Sequence, residues 1–332
     1  MTVVYGLLTG LVFGFVLQRG RVCFNSAFRD LRMMKDNFMF KVGLLAIAGQ
    51  IVGFLAMAQL GLINLNPPAL NWVGVTLGAF LFGLGMVLAG GCASGTTYRI
   101  GEGNTTSWLA GLVYGLFAWA TRSGFLSPIQ KAISGFTVKV PQNNPLFLEE
   151  AGPTLATVFN VNPWIVGLLF AALICVYLFG TKTTPRKTAP WGWVKTGLLI
   201  VPVAMFAFYS SSLVGRNYGL GITGGWVGLL SSVTTNVPLS WDAAEILGII
   251  LGAGITAAVY KEFKLRVPKS GKTYLYVVIG GALMGFGATI AGGCNIGHFL
   301  SGVPQLAISS IVASVFFILG NWTMVRILYG KM

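Results

Sequence analysis

Nine apolar runs, each about as long as a bilayer is thick, alternate with short polar segments along the chain. They cover residues 2–17, 39–63, 72–90, 106–121, 163–180, 194–209, 243–260, 274–291 and 306–328. A membrane-crossing helix needs roughly 20 mostly apolar residues. The pattern therefore predicts an all-α polytopic membrane protein with about nine spans, and an odd number places the two termini on opposite sides.

The composition supports this prediction. Of the 332 residues, 55% are hydrophobic and only 9% are charged, whereas soluble domains carry about 25% charged residues. This excludes a soluble enzyme, a disordered chain and a disulfide-stabilised scaffold. The first apolar run has no basic segment before it and no small-residue cleavage site after it, so we interpret it as the first span and not as a signal peptide.

The distribution of basic residues predicts the orientation. With the N-terminus outside, 18 of the 22 Lys and Arg residues fall on the cytoplasmic side and four on the outer side. The positive-inside rule therefore favours an outer N-terminus and a cytoplasmic C-terminus in a bacterial inner membrane. The outer four are Arg122, Lys131, Lys139 and Arg216. The basic residues are scattered between spans, so nucleic-acid binding is not indicated. Membrane lipid is an expected partner of the chain. Residues 122–162 are expected to form an outer loop with short helices.

An internal repeat organises the chain. Residues 81–95, LFGLGMVLAGGCASG, match residues 283–297, LMGFGATIAGGCNIG, at an offset of 202. The offset relates spans two to four to spans seven to nine and, roughly, span one to span six. Five spans separate each helix from its mate, which inverts the second copy. We therefore expect one transmembrane domain in a 4+1+4 arrangement, with halves 1–125 and 191–332, a connector 126–190, and a substrate path at the repeat interface.

A shorter spacing recurs inside both halves. Four glycine-marked helix ends are followed nine residues later by a loop, at 14–23, 83–92, 215–224 and 285–294. Three of these loops carry a thiol, and the loop at 224 has glycine instead. Irregular backbone at membrane depth is tolerated only where it is buried in protein or lines a polar path. We therefore expect four loops to reach the centre, with the amides of Gly91 and Gly293 as candidate anion contacts.

Four cysteines are present and no two form a C-x-x-C pair, which argues against a thioredoxin-type site or a zinc ribbon. Cys175, in the middle of the fifth span, is expected to be an ordinary small buried side chain. Cys23, Cys92 and Cys294 occupy the related loops and are candidates for the substrate path. Thiols suit a soft partner, which leaves open the terminal sulfur of an inorganic sulfur anion or a soft metal ion.

The cysteine loops resemble a known family. GRVCFNSAFRD at 20–30, AGGCASG at 89–95 and AGGCNIGH at 291–298 are similar to motifs of the YeeE/YedE family of sulfur-compound transporters. The resemblance implies an hourglass-like body and thiosulfate uptake. It also implies that the ion passes from an outer basic concavity between the three thiols by S–H hydrogen bonds. Some relatives occur with a small TusA-like sulfur carrier, which makes such a protein a candidate cytoplasmic partner. Other members are linked to selenium metabolism.

Several polar residues near these loops are further candidates. The candidate anion contacts on side chains are Arg21, Asn25, Arg99, Arg216 and His298, each of which also has an ordinary structural interpretation. Glu245, near the end of a span, and Glu102, close to the Cys92 loop, are candidate proton sites because no other acidic residue lies so near the membrane interior.

No enzyme signature emerges, and we assign no catalytic residue, cofactor or metal site. The segment 268–273, PKSGKT, ends like a phosphate-binding loop but lacks its first glycine and a preceding strand. Two alternatives to thiosulfate uptake stay open at this point. One is a permease for another sulfur or selenium compound or a soft metal ion, and the other is a membrane thiol or persulfide oxidoreductase.

Overall fold

The computed structural model describes residues 1–141, 144–183 and 189–330. Three basic residues that we assigned to the cytoplasmic side, Arg186, Lys187 and Lys331, lie outside these ranges. Within them the chain is almost entirely helical, in agreement with the predicted all-α class.

Fourteen α-helices, numbered in chain order, make up the described part of the chain. They are α1 (Thr2–Gly20), α2 (Phe24–Met33), α3 (Phe38–Gln59), α4 (Trp72–Leu88), α5 (Ala93–Gly101), α6 (Thr105–Ser123), α7 (Ser127–Ser134), α8 (Leu155–Phe159), α9 (Pro163–Gly180), α10 (Trp193–Ser212), α11 (Thr223–Thr234), α12 (Trp241–Val259), α13 (Gly271–Ala291) and α14 (Ile308–Tyr329). A π-helix, Ile296–Gly302, and a 3₁₀ turn, Val303–Gln305, connect α13 to α14.

Eight helical segments of the described residues are long and apolar enough to cross a membrane, which makes this a multi-pass membrane protein. Two of them are pairs of consecutive helices, α1 with α2 and α4 with α5. The other six are single helices: α3, α9, α10, α12, α13 and α14. The remaining predicted span, the fourth (106–121), corresponds to α6. This 19-residue helix is less apolar because it begins with two threonines and a serine and carries Arg122 in its last turn.

The segment predicted as an outer loop contains the two short helices α7 and α8, as expected, and also three short strands, one of which pairs with a strand just before α4; the sequence did not indicate them. Strand β1 (Leu70–Asn71) pairs antiparallel with β2 (Thr137–Val138), and β3 (Val140–Pro141) with β4 (Glu150–Ala151). Two-residue strands are too short to show an alternating hydrophobic pattern, so they have no recognisable sequence signal.

Close helix contacts through glycine build the core. Helix α1 packs on α12 and α10 packs on α3, while α4 packs on α13 and α14, and α13 also packs on α6. A Cβ atom at Gly83 would collide with the Phe317 carbonyl, and one at Gly285 with the Tyr114 carbonyl. Small residues let membrane helices approach this closely.

Left-handed residues end two of the helices that lead to cysteine loops. After α4, Gly90 has φ of 70°, and after α13, Gly292 has φ of 84°. Glycine adopts this conformation without steric cost. The chain therefore leaves each helix abruptly and presents the next cysteine in the interior of the protein.

Candidate transport path

The three cysteines singled out by the repeat are all buried. Cys23 caps the N-terminus of α2, Cys92 caps that of α5, and Cys294 lies just before the π-helix, each at most 1% exposed. Cys175 lies in α9 and is only half-buried. The loops are thus followed at once by short helices, a feature that the loop prediction did not include.

Cys23 and Cys92 occupy one site. The Cys92 Sγ accepts hydrogen bonds from the backbone N–H of Phe24 at 3.2 Å and of Gly95 at 3.3 Å. A Cβ atom at Gly95 would lie 2.8 Å from the Cys23 Sγ. The sequence treated the cysteine loops as separate elements, whereas two of them are in direct contact here.

A cavity of about 200 Å³, called the Arg216 pocket here, ends at Cys294. Its walls include Arg122, Arg216, Thr223, Asp242, Gly293 and Cys294. The Arg216 guanidinium pairs with Asp242 at 2.6 Å and donates to the carbonyl oxygens of Tyr218 and Gly219. Arg216 is therefore fixed in place in a pocket that a thiol also lines.

A second cavity, of about 810 Å³, lies beside the Cys23 and Cys92 loops and is called the Arg21 pocket here. Its walls include Arg21, Ser26, Arg29, Arg99, Glu102 and Arg266. Arg99 donates to the Gly90 carbonyl at 3.1 Å, at the end of α4. Arg99, a predicted anion contact, thus lies against the Cys92 loop and lines the pocket.

A partly buried ion network includes two residues of the Arg21 pocket, Arg21 and Glu102. Arg21 pairs with Glu102, which is 1% exposed, and with Glu262 at 2.7 Å. Gln18 donates to Glu262 at 2.6 Å, and Arg19 pairs with it at 3.2 Å. Burial raises the pKa of Glu262, but the hydrogen bond from Gln18 and the charges of Arg21 and Arg19 outweigh it and lower that pKa overall.

Two predicted side-chain contacts are engaged with the protein. The Asn25 Oδ1 accepts a hydrogen bond from Asn321 at 2.8 Å. The buried His298 ring lies 3.0 Å from the Ser310 hydroxyl and 3.1 Å from the Ala291 carbonyl oxygen. Because a carbonyl only accepts, Nε2 is the donor and Nδ1 accepts from Ser310.

The two predicted amide contacts make hydrogen bonds within the protein. The N–H of Gly91 donates to the Met86 carbonyl at 3.1 Å, and that of Gly293 to the Ala288 carbonyl at 2.8 Å. Both bonds satisfy carbonyl groups at helix C-termini. Neither amide is therefore free to hold an anion in this structure.

The two candidate proton sites have different surroundings. Glu102 is paired with Arg21 and lies 4.0 Å from Arg266. Glu245 in α12 is fully buried, and neither carboxylate oxygen has a hydrogen-bond partner among the residues that the structure describes. Arg216 and Asp242 are the charged groups that act on it.

Tyr114 and Thr223 were missed by the sequence analysis. Their hydroxyl groups are 2.7 Å apart and join α6 to the first residue of α11. No motif surrounds either residue, and only the glycine spacing that ends at 224 marked this part of the chain.

In the described ranges, no three His, Cys, Asp or Glu side chains converge to hold a metal ion. The sites that the structure does present combine thiols, hydroxyls and guanidinium groups. Thiols suit soft atoms, and guanidinium groups suit oxyanions.

Comparisons with known proteins agree with the family resemblance. A thiosulfate transporter TsuA of Spirochaeta thermophila is 55% identical over 98% of this chain and 99% of its own length. The Escherichia coli thiosulfate transporter TsuA is 35% identical over 98% of this chain and 94% of its own. A probable transporter YedE of Escherichia coli matches 32% of this chain, at 38% identity, and 26% of its own length. The model of the sulphur transport family matches residues 19–323, and the chain belongs to that family.

Proposed function

We propose that this protein takes up thiosulfate across the bacterial inner membrane and is a transporter without enzymatic activity. The observation that carries the proposal is similarity over nearly the whole length to two relatives named as thiosulfate transporters. The buried thiols agree with it, because a protonated thiol can donate to the terminal sulfur of the anion without repelling its charge.

The proposed route runs from one cavity to the other. Thiosulfate enters the Arg216 pocket, meets Cys294, passes to the adjoining Cys92 and Cys23, and leaves through the Arg21 pocket. Each transfer exchanges one S–H hydrogen bond for another. The arrangement supports this order because Cys294 lines the first cavity, while the second adjoins the Cys23 and Cys92 loops.

The proposed orientation is N-terminus outside and C-terminus inside. The cavities agree with the charge bias. Arg122 and Arg216, both assigned to the outer side, line one cavity, and Arg21 and Arg266, both assigned to the cytoplasmic side, line the other. Cysteines introduced for Lys139 and Lys264, in a background with the native cysteines replaced, would test it. A membrane-impermeant maleimide added to intact spheroplasts should label only the first.

We also propose the inverted 4+1+4 repeat, with α9 as connector and four central loops. Pairs of contacts related by the offset support it: α1 on α12 corresponds to α10 on α3, and α4 on α14 to α13 on α6. The collision at Gly83 likewise has its counterpart at Gly285.

Uptake of a dianion against a potential of about 100 mV costs roughly 4.6 kcal/mol, since each charge costs about 2.3. Consumption inside the cell or coupling to protons must offset this. Of the two candidate proton sites, Glu245 is the better one because its carboxyl has no hydrogen-bond partner in the described part of the chain, whereas Glu102 is held by Arg21. If Glu245 takes up a proton, Glu245→Gln abolishes the stimulation of uptake by an inward proton gradient, and Glu102→Gln retains it.

A TusA-like carrier is the proposed cytoplasmic partner. The basic residues around the Arg21 pocket support an acceptor of an anionic product there. Purified protein in liposomes tests whether such a partner is required, because uptake without any added protein would show that it is not.

Growth rescue tests the function. A bacterial host without its own sulfate and thiosulfate uptake receives this gene, with thiosulfate as sole sulfur source. Wild type and Cys175→Ala should restore growth, whereas Cys92→Ala and Cys294→Ala should not. Absence of rescue by well-expressed wild type would refute thiosulfate uptake. Full rescue by the variant lacking Cys23, Cys92 and Cys294 would refute the thiol route.

A further inference from the structure

A pair of buried hydroxyl groups lies deep in the protein next to Cys294. The Tyr114 hydroxyl is 2.7 Å from the Thr223 Oγ1, and Tyr114 is only 1% exposed. Thr223 lines the Arg216 pocket together with Cys294. The pair is thus at the inner end of the cavity through which the anion is proposed to enter.

Helix α11, which begins with Thr223, also reaches the element that follows the next thiol of the proposed route. Three residues after Thr223, the Trp226 indole N–H donates to Thr97 of α5 at 3.1 Å, and Cys92 caps that helix. Helix α11 therefore connects the Arg216 pocket, which Cys294 lines, to the helix that begins after Cys92.

The chemistry of the pair differs from that of the thiols. Two hydroxyls have two O–H donors. Since one of them serves the bond within the pair, the other is available to an incoming acceptor. Thiosulfate carries one soft sulfur and three hard oxygens at opposite ends. A thiol suits the soft end, whereas a hydroxyl suits an oxyanion and makes a stronger, charge-assisted bond to it in a buried site.

We propose that Tyr114 and Thr223 form an oxygen-binding station that holds the sulfonate end of thiosulfate while its sulfur passes from Cys294 to Cys92. This inference rests on the proposed uptake of thiosulfate and adds a recognition element to it. An anion without oxygens, such as hydrosulfide, gains nothing from the station. The pair therefore contributes to the choice of substrate, and the cysteines alone do not set it.

The test uses the full-length protein in liposomes with radiolabelled thiosulfate. Tyr114→Phe keeps the ring and removes the O–H, and Thr223→Val keeps the shape and removes the hydroxyl. Each should lower the initial rate at subsaturating thiosulfate about tenfold or more, equivalent to about 1.4 kcal/mol. The double variant should be little worse than either single one, because the two hydroxyls act as a unit.

Two further variants separate recognition from folding. Thr223→Ser restores a hydroxyl and should restore most of the uptake lost in Thr223→Val. Thr121→Val removes another buried hydroxyl of α6, which among the described residues bonds to the Phe117 carbonyl of its own helix, and should leave uptake unchanged. If Tyr114→Phe does not fold, as judged by gel filtration and melting in detergent, the Val and Ser variants of Thr223 decide the question.

The outcomes distinguish this inference from the function on which it rests. Wild-type protein that takes up no thiosulfate overturns the proposed function. Wild-type uptake that persists at an unchanged rate in folded Tyr114→Phe and Thr223→Val overturns only the oxygen-binding station.

Discussion

The backbone N–H of Phe24 donates a hydrogen bond to the sulfur of Cys92 at 3.2 Å, across 68 positions of sequence. The same sulfur accepts from the Gly95 N–H. Cys92 therefore connects two loops mechanically as well as presenting a thiol. Any substitution there changes both the structure of the loops and the proposed chemistry of the path, and the two effects need to be measured separately.

Cys92→Ala leaves two buried N–H donors without an acceptor, which costs about 1–3 kcal/mol for each donor left unpaired. We expect a lower melting temperature in detergent and no uptake. Cys92→Ser keeps an acceptor atom, so it should melt close to wild type and still fail in uptake because the soft thiol is gone. Cys175→Ala, in the half-buried middle of α9, is the control for both measurements. A Cys92→Ser variant with normal uptake would contradict the role of sulfur.

The Arg216–Asp242 pair predicts opposite effects of neutralising its two members. Arg216→Gln removes the fixed cation of the Arg216 pocket and should reduce uptake at low ionic strength by about tenfold, with a smaller reduction at high salt because screening weakens attraction. Asp242→Asn removes the competing anion and should lower the KM for thiosulfate. Lys139→Gln is the matched control, because Lys139 is exposed and its ion pair with Glu150 is loose, with 3.9 Å between Nζ and Oε2. Equal effects of Arg216→Gln and Lys139→Gln would argue against a specific outer site.

The lowered pKa of Glu262 predicts how the stability of the protein depends on pH. Its pKa in the folded protein lies below the ordinary value of 4.5. The ionised carboxyl therefore stabilises the fold above that value, and the contribution is lost as pH falls through the lowered pKa. Melting temperatures measured from pH 7 to pH 3 should fall less steeply in Glu262→Gln than in wild type. Glu149→Gln, at an exposed position of the outer loop, should keep the wild-type profile; parallel profiles of wild type and Glu262→Gln would exclude this contribution.

The sequence predicted the helices of the fold well because a membrane helix is recognisable as a long run of apolar residues. The run at 274–291 became α13, which ends at Ala291, and the glycine doublet at 292–293 became the predicted break. The weaker hydropathy of α6 and the two-residue strands of the outer loop show the limits of the same criterion. Neither a polar-ended helix nor so short a strand leaves a periodic pattern.

The candidate site was predictable only in part. Repetition marked Cys23, Cys92 and Cys294, but periodicity carries no information on which loops touch, so the contact between Cys23 and Cys92 was not foreseen. Tyr114 lies in an ordinary apolar run, and only the structure shows that its hydroxyl bonds to Thr223 on another helix. The amides of Gly91 and Gly293 are occupied because of the way each helix ends. A glycine in the sequence allows such a helix end but does not show which carbonyl its N–H will bond to.

Gly83 and Gly285 predict a symmetric sensitivity of the two halves. A Cβ atom at either position meets a backbone carbonyl of the neighbouring helix, which cannot move aside as a flexible side chain would. Gly83→Ala and Gly285→Ala should each push two helices apart, lower the yield of folded protein and reduce its melting temperature by a similar amount. Gly180→Ala, where no atom of the described residues lies within 4 Å of the added atom, should behave as wild type. Unequal costs at the two positions would mean that the halves do not share one packing arrangement, and the inverted repeat would lose its main structural support.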